Sequence, residues 1–299
     1  MKIFIDTNIF LDFYRSAEGK VSILQNLKEF KNYIVFPEQV YNEFKRNRVM
    51  LLNNYIEGLK KNTVFPTIQA IPIIKEHEEY KEMQNVQKLF SERKKKLISF
   101  VEDMIKDPAK DIVLKEIEDL YGSSEITKIY NTDEIINKAR KRQLLGNPPK
   151  AYKKTDNLSV GDEIIWEALL SSVDDDLVIA SRDNTYKYNY DFLSMDFNRA
   201  TGKRLVNITD TINEALNIIG KPVSPTLEKL EEEQIEEIKA NPEEVFLFPI
   251  IIDNKSHGYA PLSMNNSFGQ ENIRFCYNCM AHTKFSGVRC TQCGAYNDD

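Results

Sequence analysis

Met1-Lys2-Ile3-Phe4-Ile5-Asp6-Thr7-Asn8-Ile9-Phe10-Leu11 opens the chain, and its reading decides the fold. Residues 2–5 form a short apolar run, the pattern of a strand buried on both faces of a parallel sheet. An acid, Asp6, follows at once, and then Thr7 and Asn8. Residues just past the carboxyl end of such a strand face the ligand crevice of an open α/β sheet. Asp6 is therefore a candidate functional residue. Its structural alternative is to cap the next helix through Thr7 and Asn8.

The same signal recurs outward along the chain. Residues 33–36, 177–180 and 205–208 are further short apolar runs. Helical spacing appears over 21–30, with Val21, Leu24, Leu27 and Lys28 in step, and over 210–219. Pro37 suits the first turn of a helix that continues through Val40 and Phe44. Strands alternating with helices predict an α/β fold, a parallel sheet flanked by helices. Residues 50–145 interrupt this alternation with charged, helical sequence. Within them, Met83, Val86, Phe90, Leu97, Phe100, Val101 and Met104 lie among dense charges, as in long amphipathic helices. The stretch reads as an insertion that either packs on the sheet or contacts substrate.

The chain has 299 residues and a formal net charge of −6. Residues 1–220 hold 33 basic and 34 acidic residues, 221–244 hold 3 and 8, and 245–299 hold 4 and 4. A uniformly basic nucleic-acid coat is excluded, but a local basic stripe is not. The expected division is a catalytic domain over 1–220, an acidic helical connector over 221–244 and a C-terminal module over 245–299. In the connector, Leu227, Leu230, Ile235 and Ile238 share one helical face, which predicts a solvated helix docking lightly on the core. No basic-then-apolar leader opens the sequence, and no apolar stretch is long enough to span a bilayer. The expectation is a soluble, cytoplasmic protein with no membrane association.

Three further acids stand at instructive places. Asp183 follows the strand at 177–180. Glu43 lies on the helix beginning near Pro37. Asp162 opens the helix Gly161-Asp162-Glu163-Ile164-Ile165-Trp166 and shares a face with Ile165, Trp166 and Leu169, which aims it inward. Glu163 and Glu167 sit beside that face and read as surface acids. Each candidate also has a structural alternative. Asp162 could serve a helix N-terminus, Asp183 a turn, and Glu43 an exposed helix face. Taken together, they are the hard oxygen donors that Mg²⁺ or Mn²⁺ requires. Other Asp-based chemistries fit less well. Position 8 is Asn where an aspartyl-nucleophile phosphatase needs Asp, and there is no Gly-rich phosphate loop and no Gly-x-Ser-x-Gly elbow.

Residues 3–11 resemble the opening motif of PIN-domain nucleases. The ordered acids Asp6, Glu43, Asp162 and Asp183 resemble that family's acidic quartet. The Gly161–Trp166 stretch resembles a bacterial PIN-like branch with a long helical insertion. The resemblance covers about residues 1–220 and implies metal-dependent cleavage of RNA phosphodiesters. It implies Asp6, Asp162 and Asp183 as Mg²⁺ or Mn²⁺ ligands, with Glu43 binding directly or through water. Thr7 or Asn8 would orient an acid or the scissile phosphate.

From 137 to 154 there are seven basic residues and no acid. Arg140, Lys141, Arg142, Lys150, Lys153 and Lys154, with Tyr152 for stacking on an unpaired base, form a candidate guide for single-stranded RNA. The alternative is a solvated helix end and loop.

All four cysteines lie in the last 24 residues, as Cys276-x2-Cys279, ten residues, and Cys290-x2-Cys293. Two such knuckles can supply a closed tetrahedron of thiolates, the pattern of a structural Zn²⁺ in a small ribbon. The ribbon would bind nucleic acid or protein, or staple a tail that lacks a core.

The leading expectation is an Mg²⁺- or Mn²⁺-dependent endoribonuclease, and a protein partner or inhibitor is compatible with it. The rivals are a catalytically silent fold that binds RNA or protein through the ribbon, and a DNA-directed nuclease.

Overall fold

The computed structural model describes residues 1–16, 20–61, 71–149 and 160–240, together with three short strands between 273 and 290. Two compact units are present, Met1–Ile250 and Ile251–Asp299.

The first unit begins with β1 (Lys2–Ile5), α1 (Thr7–Leu11) and α2 (Val21–Leu27), followed by β2 (Ile34–Pro37) and the long α3 (Glu38–Lys61). Next come α4 (Pro72–Lys75), α5 (Glu78–Lys106), α6 (Ile112–Gly122), β3 (Thr127–Ile129) and α7 (Asp133–Leu145). The chain then runs through α8 (Gly161–Ser172), β4 (Leu177–Ala180), α9 (Asn184–Tyr188) and α10 (Tyr190–Thr201). It continues into β5 (Leu205–Thr209), α11 (Ile212–Ile218) and α12 (Pro225–Ala240).

The strands form one parallel sheet in the order β3-β2-β1-β4-β5. β1 is central, with Ile3 opposite Ile34 on one side and Val178 on the other. Ile3, Phe4, Leu177, Val178, Ile179 and Ala180 have no exposed surface, which explains their uninterrupted apolar sequence. β1 pairs with β2 on one side and β4 on the other, so the strand order reverses beside it. The crevice of such a sheet opens at the carboxyl ends of the strands flanking that reversal, here where Asp6 and Ser181 leave β1 and β4.

Several local expectations are corrected. Pro37 closes β2, opposite Ile129 of β3, and α3 starts one residue later. The helix expected over 21–30 stops at Leu27, and a 3-10 turn carries the chain to Tyr33. Residues 50–145, read as a helical insertion, include a strand of the sheet, and part of them packs on the core as one of the two alternatives had it. Their second half supplies strand β3, while Val113, Leu114, Ile117, Leu120, Ile135 and Ala139 of α6 and α7 join the main core. Among the described residues, the outer half of α3, with α4 and α5, packs apart from the main core. There Leu51, Leu52 and Ile56 pack on Val101 in a separate small core. Met83, Val86 and Phe100 of α5 remain exposed.

A buried ion pair joins this outer part to the sheet domain. Arg48 Nε donates to Asp111 Oδ2 at 2.6 Å, its Nη2 donates to the Met104 carbonyl at 2.6 Å, and Tyr14 Oη donates to Asp111 Oδ2 at 2.8 Å. Asp111 also caps α6 by accepting from Leu114 N.

The acidic connector is held more firmly than its composition predicts. Glu231 on α12 is buried and accepts from the Ile212 and Asn213 amides at 2.7 and 2.8 Å. It thereby satisfies the free N–H groups at the start of α11. Gln234, also buried, donates to Ser16 Oγ and accepts from Arg182.

The second unit contains β6 (Ile273–Cys276), β7 (Ala281–Ser286) and β8 (Arg289–Cys290) in an antiparallel sheet of that order. Cys276 is in register with Ala281, and Cys290 with Phe285. Cys279 and Cys293 lie outside the described residues, as does the remainder of 245–272. No helix among the described residues is long and apolar enough to cross a membrane.

Candidate active site

The site starts at the end of β1. Asp6 N–H donates to the Ala180 carbonyl at 2.9 Å, which ties the start of α1 to β4. The Asp6 side chain has two jobs. Oδ1 accepts from Thr7 N at 2.7 Å as the cap of α1, while Oδ2 accepts from Ser181 Oγ at 2.6 Å and Asn8 Nδ2 at 2.9 Å. The capping alternative and a place on the rim are thus both features of one carboxylate. Asp183, after β4, caps α9 through Thr185 N at 2.8 Å, and its own N–H donates to Ser181 Oγ at 3.1 Å.

Glu43 reaches the rim from α3. Its Oε1 accepts from Gln39 Nε2 at 2.8 Å, one turn earlier, and its Oε2 from Thr7 Oγ1 at 3.4 Å. Asp162 is the second residue of α8 and is half-buried. Gly161 explains how α8 approaches so closely, because a Cβ there would lie 2.1 Å from Glu43 Oε1. That atom ends a flexible side chain. Gly161→Ala should therefore cost little stability but push the Glu43 carboxylate aside. The expected result is a melting temperature within a few degrees of wild type and a loss of turnover of about 10-fold or more, of the size seen when positioning contacts are lost. Full turnover in the alanine variant would mean that the position of Glu43 is immaterial.

The four carboxylates share one electrostatic environment. Asp162 is pushed up to about 7, first by burial and then by Asp6, Glu43, Asp183 and Glu163. Asp6 is pushed up to about 6 by burial and, less, by Asp183 and Glu43, against the lowering effect of its Ser181 and Thr7 hydrogen bonds. None of the four forms an ion pair with a described residue. Metal–oxygen bonds need about 2.0–2.6 Å, and among the described residues no group of three His, Cys, Asp or Glu stands where it could hold a metal ion. Asp6, Glu43 and Asp183 are turned toward protein donors instead.

Burial, reinforced by repulsion among these acids, has a pH consequence. Both raised groups favour the folded state below their unfolded value, near about 4. That contribution is lost as pH rises through about 6 and 7. The melting temperature of metal-free protein should fall by several degrees between about pH 5 and about pH 8. A rise across that window would contradict the assignment.

The basic candidates separate. Arg142 is buried, and this corrects its reading as an RNA contact. Its Nε donates to Glu167 Oε1 at 2.6 Å, its Nη2 to Asp196 Oδ2 at 2.7 Å and its Nη1 to the Pro148 carbonyl at 2.7 Å. It ties α7 to α8 and α10, and Trp166 Nε1 donates to the same Asp196 oxygen at 3.0 Å. Glu163 and Glu167 are likewise buried, not surface acids. Arg140 and Lys141 remain exposed on α7. Lys150, Tyr152, Lys153 and Lys154 lie outside the described residues.

Three residues of the site have no place in the sequence reading. Ser181 bridges Asp6 and Asp183, Gln39 holds Glu43, and Tyr186 is buried one turn beyond Asp183. Ser181 directly follows a strand, so the rule that singled out Asp6 applies to it equally.

No curated protein and no solved structure matches the chain. A family profile described as PIN domain matches residues 3–186, which include all four acids. The match covers more than half of the sequence and agrees with the five-stranded parallel sheet and its flanking helices. The chain belongs to the PIN domain family.

Proposed function

We propose that this protein is an Mg²⁺- or Mn²⁺-dependent endoribonuclease whose site is built on Asp6, Glu43, Asp162 and Asp183. PIN domains are commonly nucleases, which fits a hydrolase acting on nucleic acid. The observation that carries the finer reading is the set of mutually repelling carboxylates at the sheet's strand-order reversal, without an ion-pair partner among the described residues. Like charges crowded at a buried or half-buried rim need a counter-ion, and an all-oxygen donor set suits a hard divalent cation.

Asp6, Asp162 and Asp183 would hold the ion, with Glu43 contributing directly or through water. When bound, a divalent ion supplies Lewis acidity and a water of lowered pKa. The chain's own residues do the rest. Ser181 and Asn8 fix the orientation of Asp6, Gln39 and Thr7 fix that of Glu43, and Asp183 is pinned at the start of α9. In hydrolysis the oxygen of water bonds to phosphorus and the P–O3′ bond breaks. The products carry a 5′-phosphate and a 3′-hydroxyl that has taken up a proton. Exposed Arg140 and Lys141, with the basic residues after position 149, would guide the RNA backbone. In the second unit, a structural Zn²⁺ on Cys276, Cys279, Cys290 and Cys293 is supported by the two Cys-x2-Cys knuckles.

The test is cleavage of single-stranded RNA, with DNA alongside, in Mn²⁺ and in EDTA, together with a zinc assay on the same undenatured protein. RNA cleavage in Mn²⁺ only, with about one zinc per chain, is expected. Protons compete with the cation at Asp6 and Asp162, so Mn²⁺ affinity should rise as pH climbs through about 6 to 7. Absence of cutting on every substrate would favour the silent, binding-only fold. Preferential cutting of DNA would favour the DNA-directed reading, and under about half an equivalent of zinc would remove the ribbon metal.

A further inference from the structure

Tyr186 is 1% exposed, and its hydroxyl has no hydrogen-bond partner among the described residues. A phenol buried in that way is costly, because the stranded hydroxyl loses its hydration without compensation. A phenylalanine of the same shape would avoid that cost. Stranded polar groups of this kind point to a catalytic role or to a water or ion that completes them.

The fold places this hydroxyl by the acidic rim. Tyr186 sits in α9, three residues beyond the Asp183 cap. Its ring lies against Phe4 of β1, with centroids 6.4 Å apart. Phe4 and Asp6 are two residues apart along the strand direction and so share one face of the sheet. The electrostatics agree. Burial is the main reason the phenol resists ionisation, and Asp6, Asp162, Glu43 and Asp183 follow as further causes, in that order. Four acceptors therefore lie within electrostatic reach of one donor, yet none is at hydrogen-bonding distance. A bridging water satisfies both sides of such a gap.

We propose that the Tyr186 hydroxyl donates a hydrogen bond to a water held between it and the Asp6 and Asp162 carboxylates. This makes Tyr186 a positioning residue for the water of the hydrolysis, and in that role the inference rests on the nuclease reading above. Once ionised, neither neighbouring acid can supply the same contact, because an ionised carboxylate only accepts hydrogen bonds.

The experiment compares full-length wild type with Tyr186→Phe in three measurements: melting temperature of the metal-free protein, Mn²⁺ affinity by calorimetry, and kcat and KM on single-stranded RNA. The expected results are a melting temperature unchanged or lowered, Mn²⁺ binding weakened several-fold, and kcat reduced about 10- to 100-fold with KM within about twofold. A Phe variant that melts higher, with Mn²⁺ affinity and kcat intact, would overturn the proposal, since the hydroxyl would then be merely stranded. If wild type cuts nothing, the nuclease reading fails by itself, and Tyr186 is judged on melting temperature alone. A raised value then overturns the water site, and an unchanged or lowered one supports it.

Discussion

Asp6→Asn should reduce RNA cleavage on the order of 10³-fold while leaving the protein folded. Asn keeps the size of the side chain and one acceptor oxygen, but it loses the negative charge. Asp6 Oδ2 serves both Ser181 and Asn8, and Oδ1 serves the Thr7 amide. One end of an amide must therefore present N–H groups to a donor, which disturbs α1 locally. Against this, the substitution removes one member of a repelling set whose pKa already stands near 6. In metal-free protein these two effects oppose each other, and the melting temperature should stay within a few degrees of wild type. The Mn²⁺-induced rise in melting temperature should shrink with the activity. A variant that cleaves RNA at the wild-type rate would sink the assignment of Asp6, whatever its stability.

The largest effect on stability is expected far from the chemistry. Asp111→Ala should destabilise the protein by roughly 3–5 kcal/mol. Asp111 has no exposed surface, and its two oxygens serve Arg48, Tyr14 and the Leu114 amide. Truncation removes the carboxylate that balances the buried Arg48 guanidinium and leaves it only the neutral Met104 carbonyl and Tyr14 hydroxyl as described acceptors. It also uncaps α6, which supplies Val113, Leu114 and Ile117 to the core. At roughly 2–4 °C per kcal/mol for a domain of this size, the melting temperature should drop by about 6–20 °C. Chemical denaturation of the two proteins measures it directly. A loss under about 1 kcal/mol would mean that the clamp at the root of α3 and α5 carries little of the stability, as surface ion pairs do. Asp111→Asn keeps both acceptor geometry and cap in part and should fall between the two.

Different parts of this molecule were legible to different degrees. Strands β1 and β4 could be read directly, because a strand covered on both faces has no solvent-facing position and so no polar interruption. β3 could not. It is three residues long, lies at the sheet edge and contains Thr127 and Lys128, neither of them apolar. It looked like part of a helical insertion because the helices on both sides dominate the pattern. The same limit applies to charge. Arg142 appeared in a run of bases with no acid nearby, yet its partners Glu167 and Asp196 are 25 and 54 residues away. Glu231 looked like one more solvated acid of an acidic connector until α11 supplied two free amides for it.

By itself, the sequence determined which segments become central strands and which acids follow them, since both depend on residue type and on spacing within a few positions. It also carried the resemblance to PIN domains that the family match over residues 3–186 bears out. Only the tertiary structure decided the strand order β3-β2-β1-β4-β5, and with it that Asp6 and Asp183 leave neighbouring strands. It alone brought Glu43 against Gly161, placed Ser181 between two acids and buried the Tyr186 hydroxyl under the rim. The physical reason is range. Propensity and periodicity act over a few residues, whereas desolvation, pairing and repulsion among charges depend on neighbours that only folding brings together.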